Sequence, residues 1–188
     1  MKLNYYFPTV VGRFYDLELR NKMLPIVKDV LNNEELLTWK CGYRNTYSGS
    51  TGLQELPEFK EFANYLKKAS NDYLLELGCA SKVDLCPNIF ASGMVEGDRH
   101  GKHDHPGSEL SGIFYLDVPE GSADLVFHDS KTFRNNRSNM VQLQRSQSSI
   151  RIKPENGLFL IWESWIQHEV PVNNSSSPRT TLVFNMGL

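Results

Sequence analysis

The chain has 188 residues, of which 40% are hydrophobic and 22% charged, and its formal net charge is -2. That length lets a fold bury roughly two-thirds of the surface an unfolded chain exposes, so neither a disulfide framework nor a structural metal is needed for folding. The near-neutral charge gives no electrostatic case for nucleic acid or an anionic membrane surface. Cys41, Cys79 and Cys86 are an odd number without C-x-x-C spacing, which reads as reduced thiols in a reducing compartment. Met1–Pro8 lacks the apolar core of a signal peptide, and no apolar stretch approaches the ~20 residues needed to span a bilayer. The expectation is one cytoplasmic domain over residues 1–188, with 1–80 mainly helical support and 81–188 a sheet core.

In chain order, Leu17, Leu24, Val27 and Leu31 form an apolar series at helical spacing, interrupted by Pro25, which implies either a kink or a late helix start. Asn45–Gly52 is rich in Thr, Ser and Gly and reads as a loop. The clearest helix spans about Pro57 to Leu77, where Phe59, Phe62, Leu66, Ala69, Tyr73 and Leu77 share one face. Pro57 suits its first turn and Gly78 the position just past its end.

After Lys82 the pattern changes to short β-like runs: Asn88–Val95, Leu110–Val118, Ala123–His128, Val141–Ile152, Gly157–Glu163, His168–Val172 and Arg179–Met186. Within Val141–Ile152 the apolar parity switches, which predicts a bulge or break near Ser146–Ser149. Seven or more short strands after a helical preface predict a mainly β fold with flanking helices, a double-sheet jelly roll.

The chemistry lies in three places. His103 and His105, in Gly101-Lys102-His103-Asp104-His105-Pro106, project to one face of an extended backbone while Asp104 points away. Two neutral imidazoles on one face are a ready pair of metal ligands. A third, His168, opens a later strand. Arg179 and Thr181 alternate onto one face of the last strand, where a guanidinium fork and a hydroxyl can grip a carboxylate. Each piece alone has a plainer reading: the histidines as turn or loop hydrogen-bonders, Arg179 as an edge-strand surface residue. Their joint occurrence carries the argument. Phe90, Phe114, Trp162 and Trp165 are candidate pocket walls, and His100 and His128 have no ligand role in this reading.

The order H-x-H-P, S-G-x-x-Y, S-W-x-x-H and R-x-T resembles the 2-oxoglutarate/Fe(II) oxygenases of bacteria and cyanophages, relatives of the prolyl hydroxylases. The quoted segments are His103–Ser108, Ser111–Leu116, Gly157–Val170 and Arg179–Asn185, within about residues 88–186, with a weaker echo in Tyr6-Phe7-Pro8-Thr9. The resemblance implies a double-stranded β-helix with Fe(II) and 2-oxoglutarate as cofactor and co-substrate. It implies His103 and His168 as iron ligands, and Arg179, Thr181 and Tyr115 on the far carboxylate of 2-oxoglutarate. The implied reaction consumes O2, decarboxylates 2-oxoglutarate to succinate and hydroxylates an unidentified peptide or small molecule. His105 departs from the family pattern, because most relatives carry Asp or Glu there. It is favoured as the third ligand because alternation aligns it with His103, with Asp104 as the competing candidate if the backbone kinks.

Ser130–Asn139, with Lys131, Arg134 and Arg137, reads either as a lid over substrate or as a solvated connection. Two other function classes stay open: a cupin-like metalloenzyme without 2-oxoglutarate, for which Arg179 is not required, and a non-catalytic jelly-roll binding module. No nucleic-acid or membrane partner is expected, and the choice between monomer and homo-oligomer is open.

Overall fold

The computed structural model describes residues 8–40, 42–47, 52–129 and 148–188. In chain order the elements are β1 (Val11–Tyr15), α1 (Leu17–Asn32), β2 (Thr38–Lys40), β3 (Tyr43–Asn45), α2 (Lys60–Glu76), β4 (Cys86–Met94), β5 (His100–His103), β6 (Leu110–Asp117), β7 (Leu125–His128), β8 (Ser149–Ile152), β9 (Leu158–Glu163), β10 (His168–Val170) and β11 (Arg179–Gly187). The strands form a seven-stranded sheet, β1-β9-β6-β11-β4-β3-β2, and a four-stranded sheet, β5-β10-β7-β8. All their pairings are antiparallel. This is the double-stranded β-helix with flanking helices that the strand pattern predicts.

α1 starts where the Asp16 carboxylate accepts from the Leu19 N–H at 2.8 Å and buries Leu19, Met23, Val27 and Val30. It continues unbroken past Pro25, so the late start is excluded. Pro25 lies on the exposed face, where the carbonyl its ring leaves without a donor can be hydrated. Leu17, counted in the apolar series, is 58% exposed at the helix start. α2 follows a 3-10 turn at Pro57–Phe59 and buries Phe62, Ala63, Leu66, Ser70 and Tyr73. It ends in a Schellman motif, with Gly78 at φ 98°, its N–H donating to the Leu75 carbonyl and the Cys79 N–H to the Leu74 carbonyl. Leu77, expected on the buried face, is exposed beside this stop.

The larger sheet is apolar on both faces. Phe114, Leu116, Phe159, Ile161, Leu182 and Phe184 face the helices, meeting Met23, Val27, Phe62 and Leu66. Ile113, Tyr115, Leu158, Leu160 and Trp162 face the smaller sheet. Gly112 lets β6 pass close to its neighbours: a Cβ there would stand 2.5 Å from the Leu160 carbonyl oxygen.

Four strands escape the sequence pattern. β1, β2 and β3 come from the region read as helical support, and β5 holds His100 and His103. Asn45, assigned to a loop, ends β3, while 48–51 lie outside the described residues. Of Val141–Ile152 only Ser149–Ile152 is seen as a strand; 141–147, which include the first half of the predicted break, and Ser130–Asn139 lie outside the described residues. Cys79 and Cys86 are free thiols, and among the described residues no helix is long and apolar enough to cross a membrane.

Candidate active site

Pairing of β5 with β10 sets His103 opposite His168 in the smaller sheet. His105 lies two residues beyond the end of β5 and is held by backbone: its N–H donates to the Ser164 carbonyl at 3.1 Å, and the Ser108 N–H donates to its carbonyl at 3.3 Å. The Ser164 hydroxyl in turn donates to the Ser108 carbonyl. This staple joins the His105–Ser108 loop to the turn that precedes His168. One ligand nitrogen from each of His103, His105 and His168 then lies within 4.8 Å of the others. Asp104 is exposed and outside this group.

Two local hydrogen bonds set the imidazole tautomers. His103 Nδ1 is 2.7 Å from the Gly101 carbonyl oxygen, and His168 Nδ1 is 2.9 Å from that of Ile166. A carbonyl only accepts, so Nδ1 carries the proton in both rings and each neutral ring keeps its lone pair on Nε2. His105 Nε2 stands 3.3 Å from His168 Nε2. Since His168 Nε2 is the acceptor, the proton between them belongs to His105 and must move when an ion binds.

Burial is the main reason all these rings resist protonation. It pulls His168 down to about 3 and His105 to about 4, with repulsion from His103 adding to both, and it lowers His103 as well. Near neutral pH three uncharged imidazoles converge, a donor set that fits iron(II) or zinc(II). The depressed values have a stability consequence. Below about pH 6.5 the unfolded chain takes up protons that the folded, metal-free protein refuses, so stability rises with pH across that window. The expected loss on acidification is up to about 1.4 kcal/mol per pH unit for each such histidine. Urea midpoints between pH 4.5 and 7 should therefore climb; a flat profile would show the rings to be solvated.

Arg179 opens β11 opposite Met94, and Thr181 pairs with Tyr115 across a register shift between Thr180 and Thr181. Arg179 is 1% exposed, Thr181 1% and Tyr115 0%. The guanidinium donates to the Ala123 carbonyl at 2.9 Å and to Met94 Sδ at 2.8 Å, which leaves Nε without a partner. Thr181 Oγ1 and Tyr115 OH are likewise unpartnered, and the Tyr115 ring centre is 5.7 Å from the Arg179 Cζ. Burial lowers the Arg179 pKa and pushes that of the Tyr115 phenol up to about 12. A buried cation with idle donors around it is costly unless an anion completes it. The three residues thus fit a carboxylate. Arg179, Thr181 and the three histidines line one cavity, partly open to solvent, with about 50 Å³ of space that water-sized molecules can occupy; Tyr115 stands behind Arg179 rather than in the lining.

Other expectations divide. Phe90 and Trp162 line the cavity, whereas Phe114 faces the helices and Trp165 is 47% exposed outside the lining. Tyr43, Asn45 and Tyr47, from the region read as helix support and loop, are part of the wall. His100 is not among the converging ligand nitrogens, but its ring stacks on His103 at 3.7 Å and its Nδ1 is 3.4 Å from the Tyr43 hydroxyl. The cause is a bulge: His168 to Val170 on β10 spans two residues, while His103 to His100 on β5 spans three. Gly101 inside that run was the available signal. His128 stays apart, 3.3 Å from Glu169.

Residues 89–185, just over half of the chain, match the family described as "Putative 2OG-Fe(II) oxygenase". The chain belongs to this family, whose cofactor and co-substrate are iron(II) and 2-oxoglutarate. No curated protein matches its sequence. Among solved structures it is similar to a 2OG-Fe(II) oxygenase family oxidoreductase from Burkholderia pseudomallei, with 16% identity and TM-score 0.55 over 81% of this chain; it spans 63% of that protein's length. It is also similar to a Pseudomonas putida prolyl-4-hydroxylase, with 11% identity and TM-score 0.63 over 95% of this chain and 92% of the other. HygX from Streptomyces hygroscopicus, solved with nickel and 2-oxoglutarate bound, gives 9% identity and TM-score 0.64 over 95% and 83%. At these identities the likeness is one of fold.

Proposed function

We propose that the chain is an Fe(II)- and 2-oxoglutarate-dependent dioxygenase whose iron is held by His103, His105 and His168. Arg179 and Thr181 hold the far carboxylate of 2-oxoglutarate, with Tyr115 behind them. The observation that carries this reading is the buried Arg179, flanked by idle donors, in the same cavity as three converging imidazoles. A cupin-like metalloenzyme would use the histidines but has no need of that anion site.

Bound iron and the oxo-acid supply the oxidation: O2 is reduced, 2-oxoglutarate loses CO2 to give succinate, and one oxygen enters the substrate. The chain's own residues orient and exclude water. The Nδ1–H bonds to Gly101 and Ile166 fix two rings with their lone pairs available, and the Ser164 staple brings the third. Trp162, Ile113 and Val183 wall the cavity with apolar surface that keeps the reacting centre dry. Peptide and small-molecule substrates both suit this reading, and the single-domain organisation over residues 1–188 is part of it.

The donor set is neutral, whereas two histidines and a carboxylate would bring one negative charge. The site therefore holds a dication less firmly and attracts a dianionic co-substrate more strongly. His105→Ala should lose stoichiometric iron(II) binding and Asp104→Ala should keep it, as read by anaerobic metal titration. Succinate release in air should follow the same order. If instead Asp104→Ala loses the metal and His105→Ala retains it, the third ligand is the carboxylate.

A further inference from the structure

Trp162 carries an indole N–H that is buried and unpartnered, on a side chain 2% exposed. The residue lines the same cavity as the histidines and Arg179. Its ring packs edge-on against His168, with centres 4.9 Å apart, and against Phe127 at 5.0 Å. A buried donor without an acceptor is destabilising, and the apolar side chains of Ile113, Leu160 and Phe127 in the same cluster offer it nothing. An acceptor supplied by a ligand would remove that cost.

The register of the larger sheet says which part of a ligand can reach it. Trp162 lies opposite Ser111, and Ser111 opposite Asn185. Thr181 lies opposite Tyr115, and Arg179 begins the same strand. Along the inner face, Arg179 and Thr181 therefore occupy one end of the cavity, and Trp162 the other, beside His168. An extended dicarboxylate held at its far end by Arg179 puts its second carboxylate at the histidine end. Tyr47, on the same cavity's wall, is 44% exposed, whereas an indole as deeply buried as that of Trp162 meets only a molecule that the cavity engulfs.

We propose that the Trp162 indole N–H donates a hydrogen bond to the metal-side carboxylate of bound 2-oxoglutarate, making Trp162 a positioning residue for the co-substrate. This rests on the reading above that the site takes 2-oxoglutarate. A donor there would orient that carboxylate when the co-substrate is bound. Hydrogen bonds to charged groups are worth enough that losing one weakens binding about tenfold to a hundredfold.

The test uses the full chain loaded with zinc(II), a diamagnetic ion that three histidines also suit, and titrated with 2-oxoglutarate. The Trp162 indole N–H resonance, assigned by elimination with Trp39→Phe and Trp165→Phe, should move downfield and become protected from solvent exchange as 2-oxoglutarate saturates the site. By calorimetry, Trp162→Phe should bind 2-oxoglutarate about tenfold to a hundredfold more weakly, with zinc affinity in its absence unchanged. If the parent binds 2-oxoglutarate and the resonance does not move, the proposal is wrong whether or not the phenylalanine variant folds. If the parent binds no 2-oxoglutarate at all, the proposed function fails first and this inference with it.

Discussion

Arg179→Ala is expected to raise the dissociation constant for 2-oxoglutarate a few hundredfold or more, while iron(II) affinity measured without the oxo-acid stays nearly unchanged. The guanidinium is 1% exposed and already anchored through the Ala123 carbonyl and Met94 Sδ, so its direction is set before any ligand arrives. A fork and a carboxylate make two charge-assisted hydrogen bonds. Removing one partner of such a buried pair costs about 3–5 kcal/mol, much of it the desolvation of the charge left behind. Arg179→Lys should recover only part of the loss, because an ammonium keeps the charge without the planar fork. Calorimetry under nitrogen reads both constants. An unchanged affinity in the alanine variant would leave the cupin-like reading ahead.

His103→Ala and His168→Ala should each abolish stoichiometric iron(II) binding and leave the fold largely intact. His103 ends β5 and His168 begins β10, so both sit at the cavity end of the smaller sheet, away from the core between α1, α2 and the larger sheet. His168 is the more buried, at 4% exposure, and Trp162 and Phe127 pack on its ring; its truncation should cost the more stability of the two, within the ~2–5 kcal/mol seen for large-to-small changes. Circular dichroism checks the fold and anaerobic metal titration the binding. Full-strength iron binding by either folded variant would break the proposed triad.

These residues were legible in the sequence for a definite reason. Two-residue alternation put His103 with His105 and Arg179 with Thr181, and those pairs did end up facing one cavity. α2 was legible from its period, its leading Pro57 and its trailing Gly78, and α1 from its period once Pro25 fell on the solvent side. Alternation failed where strands are buried on both faces. Ile113-Phe114-Tyr115-Leu116 is apolar throughout, so nothing local says that Phe114 turns to the helices and Tyr115 to the smaller sheet. It failed again at the β5 bulge, where one extra residue moved His100 onto the His103 face. The three-residue strands β2 and β3 are too short to display a period, and the pairing of β2 with β3 and of β3 with β4 comes from tertiary structure alone.

In the proposed function one cavity binds iron(II) through three histidines and 2-oxoglutarate through Arg179. Anaerobic titration of the purified protein with iron(II), then with 2-oxoglutarate, tests it most directly, through the weak visible charge-transfer absorption of an iron-chelated oxo-acid. One iron per chain is expected, with no visible band from iron alone and a band that grows to saturation at one equivalent of 2-oxoglutarate. Stoichiometric iron binding with no band at any 2-oxoglutarate concentration would contradict it.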